Sequence, residues 1–203
     1  IPGPGVTLQG DRYVTGFGGK GANQAIMASR FGCEVHFIGS VGDDGFGHQI
    51  IENFKEAGIE AESLELSQSS NTGVAHIWVE KENGENRIVI IPGANLEIDK
   101  AKAVRAIESI NDLKVVLGQC EIKQDVTLAA FQAAKQRGCV TILNPAPYQA
   151  LSEELLSVTD WLIPNESEFE QLHPEKKFPS ADDILQTIRA SGNTIVTLGA
   201  EGA

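Results

Sequence analysis

Val115-Val116-Leu117-Gly118-Gln119 and Val140-Thr141-Ile142-Leu143-Asn144 are short apolar runs, and the helix-like stretch Asp125–Arg137 lies between them. Strands that are apolar along their whole length are covered on both faces, as in parallel sheets. The alternation extends in both directions. Asp99–Ser109 is expected as a helix capped by Asp99, Trp161–Pro164 as a strand, Ala181–Ser191 as a helix and Thr194–Leu198 as a last strand. Helices and strands in turn indicate βαβ units, hence an α/β fold with a central, mostly parallel sheet and helices on both faces.

The first half carries a second texture. Ala22–Phe31 is expected as a helix stopped by Gly32, Val35–Val41 as a strand, and Gly45–Ala57 as a helix closed by Gly58. From Gly73 the pattern is that of a hairpin: Val74–Glu80 and Arg87–Ile91 are rich in β-branched and apolar residues, and Asn83-Gly84 sits in the polar loop between them. With Arg12–Phe17 and Ile59–Leu66, this hairpin is expected to form a small sheet apart from the main one. The chain reads as one domain over residues 1–203, with the strands of that small sheet within 8–17, 59–66 and 73–91.

A length of 203 residues is enough for a core that needs no staples. The net charge is −12, from 16 Lys and Arg against 28 Asp and Glu. Such a chain repels phosphate backbones and anionic lipid, which argues against nucleic acid or membrane surfaces as partners. No apolar run reaches the roughly 18 residues of a membrane span. Cys33, Cys120 and Cys139 are widely spaced beside apolar runs, which suits free thiols in a reducing compartment, the cytoplasm. Ile1-Pro2-Gly3-Pro4-Gly5 has neither an initiating Met nor a signal-peptide layout, so the expectation is a piece of a longer chain.

Chemistry concentrates in few places. Gly18-Gly19-Lys20-Gly21-Ala22-Asn23-Gln24 sets small residues around one lysine and one asparagine, so backbone can come close to a polar ligand while two donors point at it. A tight strand-to-helix turn with a solvated lysine is the plainer reading of the same residues. Gly16-Phe17-Gly18-Gly19-Lys20-Gly21 also fits G-x-G-x-x-G, but the hairpin that follows does not suit a dinucleotide fold. A phosphate loop is excluded, because Val14 stands at its first glycine and Gly21 follows Lys20. Gly42-Asp43-Asp44-Gly45-Phe46-Gly47 reads as a helix N-cap rather than a calcium loop. His36, His48, His76 and His173 show no paired spacing and read as structural.

In parallel α/β sheets, ligands gather beyond the carboxyl ends of the strands. Here those ends carry Gln119-Cys120-Glu121, Asn144-Pro145-Ala146-Pro147, Pro164-Asn165-Glu166-Ser167-Glu168 and Leu198-Gly199-Ala200-Glu201-Gly202. Asn165 and Glu168 fit either a helix first turn or a group that organises hydrated Mg²⁺ and phosphate oxygens.

Taken in order, the glycine cluster, Val41-Gly42-Asp43-Asp44 with Gly47, Asn144-Pro145-Ala146-Pro147, Pro164–Glu168 and Thr197–Gly202 resemble the ribokinase-like (PfkB) family of carbohydrate and nucleoside kinases over nearly the whole chain. The resemblance implies a ribokinase-like fold with a small β-sheet lid that covers the sugar and pairs with the lid of a second subunit, giving a homodimer. It implies that Gly19, Lys20, Gly21, Ala22, Asn23 and Glu121 bind the sugar. Asn165 would contact phosphate, Glu168 would act on Mg²⁺ through water, and Thr197, Leu198, Gly199, Ala200, Glu201 and Gly202 would begin the nucleotide site. The implied reaction moves the γ-phosphoryl of ATP to the 5-hydroxyl of D-ribose. Another sugar or nucleoside kinase of the family, or a non-catalytic sugar- or nucleotide-binding module, is the alternative.

The chain departs from the family pattern in three ways. It has no Gly-Ala-Gly-Asp segment, the family's source of a catalytic base, so no catalytic residue is assigned within it. The family's first strand, with its Asn and Asp sugar ligands, is missing, and the K⁺ loop implied for many members would lie beyond Ala203. The expectation is that residues 1–203 alone do not turn over.

Overall fold

The computed structural model describes residues 4–81, 83–175 and 193–203. The helix expected at 181–191 lies outside them. The described elements follow in the order α1 (Lys20–Arg30), β1 (Val35–His36), β2 (Gly39–Gly42), α2 (Gly45–Glu56), β3 (Ile59–Glu60), β4 (Leu64–Ser67), β5 (Val74–Val79) and β6 (Asn86–Ile91). A short 3₁₀ turn (Gly93–Glu97) leads into α3 (Lys100–Ser109), β7 (Val115–Gly118), α4 (Gln124–Gln136), β8 (Val140–Leu143), α5 (Glu153–Ser157), β9 (Trp161–Leu162) and α6 (Glu166–Leu172).

All pairing between strands of the main layer is parallel. β8 lies between β7 and β9, with Val115 opposite Val140 and Ile142 opposite Trp161. β1 pairs with β3, and β2 with β4. Thr194 and Thr197 extend this layer beside Leu162 and Asn165 as isolated parallel bridges rather than as the continuous strand the alternation suggests.

Successive side chains of a strand point to opposite faces, and here each face has helices on it. Phe37 and Val35 pack with Ala25, Phe54 and Ile59 under α1 and α2, whereas Ile38 packs with Ile98, Ala103, Ile107 and Ala134 under α3 and α4. On the third group of strands Leu143 is fully buried against Phe131 of α4 and Leu155 of α5. The expected layering of α/β/α is therefore present, although the strands are shorter than the apolar runs. Among the described residues no helix is long and apolar enough to cross a membrane.

Three expectations for the strands are corrected. Val35–Val41 breaks at Phe37-Ile38, where the Phe37 ring tilts onto Phe54 with centroids 4.6 Å apart. Residues 59–66 do not join the hairpin: Ile59 is buried among Ala25 and Phe54, which holds β3 and β4 against β1 and β2. Residues 12–17 form no strand: among the described residues β5 and β6 pair only with each other and offer them no ladder. The exposed Asp11–Lys81 ion pair, at 2.8 Å, is what links that stretch to the hairpin.

The hairpin is rooted in a dense polar node. Asp44 caps α2 by accepting from Gly47 N–H at 2.9 Å, as the sequence suggests for this segment. Its carboxylate also accepts from the Thr72 N–H and hydroxyl, both at 2.8 Å, and Thr72 Oγ1 in turn accepts from Gly42 N–H at 3.0 Å. Backbone approaches so closely that a Cβ on Gly47 would sit 2.0 Å from the Gly42 carbonyl oxygen, and one on Gly93 2.3 Å from that of Asn71. Only glycine fits at either place.

Backbone N–H groups from Thr72 and Gly47 hold the Asp44 carboxyl down at about 2, from an ordinary 3.8. Because the folded value lies below the unfolded one, the stabilisation is complete above 3.8 and is lost as pH falls through about 2. Asp44→Ala is expected to cost about 2 kcal/mol at pH 7, combining a lost cap with the unpaired Thr72 groups. In urea unfolding the gap between wild type and variant should close as the pH approaches 2, and a gap that persists there would contradict the assignment.

Candidate functional site

α1 begins without a cap of its own. Gly19 precedes it at φ 96°, ψ 136°, a conformation that glycine adopts without strain, and no side chain of its own segment accepts from the first turn. The acceptor comes from far away in the chain: Lys20 N–H donates to Glu121 Oε2 at 2.9 Å, across 101 positions. A carboxylate is favoured at that end by the exposed N–H groups and the dipole of the helix. The glycine cluster and the residue after β7 are thus brought to one place. Lys20 is half-buried and Asn23 exposed in the same first turn. Among the described residues, Lys20 Nζ makes no ion pair or hydrogen bond.

A second connection runs through side-chain amides, which sequence reasoning did not single out. Gln119 Nε2 donates to Gln24 Oε1 at 2.5 Å, Gln24 Nε2 to Asn144 Oδ1 at 3.3 Å, and Asn144 Nδ2 to the Ile163 carbonyl at 2.7 Å. The ends of β7 and β8 and the residue just after β9 are thereby tied to α1. The available signal was an amide at the close of two successive strands, Gln119 and Asn144, with a third in the glycine motif.

Backbone contacts draw the loops of that edge together. Cys120 N–H donates to the Ala146 carbonyl at 3.0 Å, and the Ala146–Pro147 peptide is cis. Burial pushes the Cys120 thiol above its usual range, and the Glu168 charge adds to the shift.

Asn165 and Glu168 form a complete capping box at the start of α6. Asn165 Oδ1 accepts from Glu168 N–H at 2.8 Å, while Glu168 Oε2 accepts from Asn165 N–H at 2.9 Å. The plainer reading of this pair, a helix first turn, is met in full, and it leaves part of each side chain for other work. Glu168 is 8% exposed. Thr197 lies beside Asn165, its N–H donating to the Pro164 carbonyl at 3.0 Å. Leu198 packs with Phe169 and Val196, and Gly199–Glu201 turns back so that Leu198 N–H reaches the Gly202 carbonyl at 2.7 Å.

The candidate residues thus fall into two groups on one edge. One is the first turn of α1, where Lys20 N–H meets Glu121; the other is the start of α6, where Asn165 lies beside Thr197 and Phe169 packs with Leu198. Among the described residues no three His, Cys, Asp or Glu side chains gather into a cage for a metal ion.

Residues 2–203 match the pfkB family of carbohydrate kinases. The ribokinase of Bacillus subtilis is 38% identical over 174 residues, which cover 86% of this chain and 59% of that protein. The ribokinase of Haemophilus influenzae is 36% identical over 204 residues, covering 98% and 66% respectively. Among solved structures, Arabidopsis thaliana ribokinase complexed with ribose and ATP superposes with a TM-score of 0.84 at 27% identity, covering 98% of this chain and 66% of that one. The chain therefore spans 59% to 66% of the length of these relatives, and it shares their ribokinase-like fold.

If the Asn165 acceptor holds α6 in place, Asn165→Ala should lower stability by about 1 kcal/mol. Asn165→Asp, which keeps an acceptor, should stay near wild type. Thermal melts of the two variants measure this, and equal losses would show that the cap is not what Asn165 contributes.

Proposed function

Because the chain belongs to the pfkB family of carbohydrate kinases, we propose that it carries the sugar cradle and part of the nucleotide site of a kinase that transfers the ATP γ-phosphoryl to the 5-hydroxyl of D-ribose. One observation carries the reading: the Lys20 N–H to Glu121 Oε2 bond, which assembles a glycine-lined helix start and a carboxylate at the rim of a parallel sheet. A pentose presents several hydroxyls that both donate and accept. Glu121 supplies an acceptor, Lys20 Nζ and the Asn23 amide supply donors, and Gly19, Gly21 and Ala22 let the ring approach the backbone.

Asn165 is assigned to phosphate and Thr197–Gly202 to the nucleotide, at the far side of the same edge. For Mg²⁺ the residues fit a carboxylate-plus-water arrangement: Glu168 is a buried carboxylate with one oxygen occupied by its cap, and among the described residues no cage of His, Cys, Asp or Glu side chains surrounds it. Mg²⁺ held there through water would neutralise charge on the transferring phosphates. No residue of this chain is assigned to K⁺ and none to the catalytic base. What these residues contribute is positioning, which accounts for much of the rate in phosphoryl transfer.

The β5–β6 hairpin is proposed as the lid, one face over the sugar and the other against the lid of a second copy. Ile77, Ile88 and Ile90 lie on one face and Trp78, Val89 and Ile91 on the other, all of them exposed. A two-stranded hairpin with apolar residues on both faces needs partners on both. A cytoplasmic setting is proposed from the unpaired cysteines and the need for ATP.

The test is an ATP-consumption assay on the full-length protein across pentoses, hexoses and nucleosides, with D-ribose expected to give the highest kcat/KM. Lys20→Ala should raise the KM for ribose about tenfold or more, the loss expected for a hydrogen bond to a charged group, and leave the KM for ATP within about twofold. Equal loss on both substrates, or preference for a hexose, would overturn the reading. For the lid, Ile77→Lys should convert a dimer to a monomer in light scattering, and an unchanged dimer mass would place the interface elsewhere.

A further inference from the structure

Gln24, Gln119 and Asn144 have no role in the cradle as assigned above, yet their side chains form a continuous line across the edge of the sheet. We propose that they are positioning residues: a one-way relay of amide hydrogen bonds that fixes the rotation of α1 and so aims Lys20 and Asn23. The proposal rests on the reading of those two residues as sugar contacts.

The direction of the relay follows from chemistry. The Ile163 carbonyl can only accept, so Asn144 must present Nδ2 to it, at 2.7 Å, and its Oδ1 faces the other way. That oxygen can only accept, so Gln24 must present Nε2, at 3.3 Å, and its Oε1 is left to receive Gln119 Nε2, at 2.5 Å. Each amide orientation is dictated by the one before it, starting from a backbone group that cannot turn round. The relay ends on the cradle itself: Gln119 Oε1 lies 2.8 Å from where a Cβ on Gly21 would be.

The core contacts of α1 are small: Ala25 is its one buried residue, with Ala22 and Ile26 partly buried beside it, and Ser29 Oγ donates to the Ala57 carbonyl at 2.5 Å near its C-terminal end. The end that carries Lys20 and Asn23 is held by polar contacts. The Lys20 N–H to Glu121 bond fixes one point. Gln24, one helical turn further on, fixes a second. Two fixed points on a rigid helix determine the direction in which Lys20 and Asn23 leave it, and the second point is anchored on the strands that lead to Asn165.

The experiment uses the full-length protein with Gln24→Glu, which keeps the size of the side chain but cannot donate to Asn144. Gln119→Leu and the double variant complete the cycle. Hydrogen exchange is read first, without sugar: the amides of Asn23 and Gln24 should exchange at least about tenfold faster in each variant, while those of Val126 to Ala134 in α4 stay at the wild-type rate. In turnover, kcat/KM for ribose should fall about tenfold with the KM for ATP within about twofold, and the double variant should be no worse than the poorer single one, since a chain broken once is already broken.

Unchanged exchange at Asn23 and Gln24, equal acceleration in α4, additive losses, or faster local exchange with ribose turnover intact would each overturn the relay. If the wild type does not use ribose at all, the functional reading fails, and the exchange data alone decide the relay. If Gln24→Glu does not fold, Gln119→Leu gives the same measurements.

Discussion

A helix that starts at a glycine with no cap must find its acceptor elsewhere, and in this chain the acceptor is the carboxylate of Glu121. The bond from Lys20 N–H is one hydrogen bond to a charged group, worth about 1.5–3 kcal/mol at most. Its importance lies in what it joins. α1 is an early element packed with α2, and Glu121 follows a strand of the β7–β8–β9 group, so the contact holds two parts of the sheet's rim at a fixed separation. Glu121 could not be replaced there by a residue lacking an acceptor at the same reach without leaving the Lys20 N–H of a partly buried helix end short of a partner.

The node around Asp44 has the opposite character. There Gly42, Gly47, Thr72 and Gly93 touch through backbone, and the close approaches leave no room for adjustment. The hairpin that springs from it is exposed along nearly its whole length. A rigid root under a sparsely packed arm is what a hinged cover requires, since the arm opens at little cost while its base keeps its bearing. The same close approaches explain the glycines at positions 42 and 47, although both lie apart from the proposed cradle contacts.

Residue patterns made the layered architecture legible because short apolar runs between helices have few other solutions. The caps at Asp44 and Asp99, and the stop at Gly32, were readable for the same reason: each rests on local chemistry within four residues. What stayed hidden was pairing. Tyr13 and Phe17 look like strand residues, but a strand exists only where a neighbour offers a ladder, and no local pattern reports that. The strands within Ile59 to Leu66 pair with β1 and β2 rather than with the hairpin, since β-branched and apolar residues say that a strand is buried and not against what. The short α5 (Glu153–Ser157) and the 3₁₀ turn at Gly93–Glu97 are too brief to leave a period. In the site, Glu121, Asn165 and Glu168 could be placed on one edge from strand order alone, whereas the glycine cluster could not, since no strand leads into it. The Lys20–Glu121 bond and the Gln119–Gln24–Asn144 line could not, because contacts across about a hundred positions are set by packing rather than by spacing.

Capping and ligand binding need not compete for the same side chains, and the accounting at Asn165 shows how. Its Oδ1 accepts from Glu168 N–H and from the Ser167 hydroxyl at 2.9 Å, so the acceptor half of the amide is spent on the helix. The half that remains is Nδ2, which can only donate. A residue in that state suits an anion and would be a poor ligand for a cation. Glu168 is the complement: its Oε2 takes the Asn165 N–H, and Oε1 remains, able only to accept while the carboxyl is ionised. One oxygen on a buried carboxylate is too little for direct multidentate coordination and sufficient to orient a water on a metal. The box that starts α6 thus leaves one donor and one acceptor three residues apart, so the proposed division, phosphate to Asn165 and hydrated Mg²⁺ to Glu168, is compatible with the helix cap instead of conflicting with it.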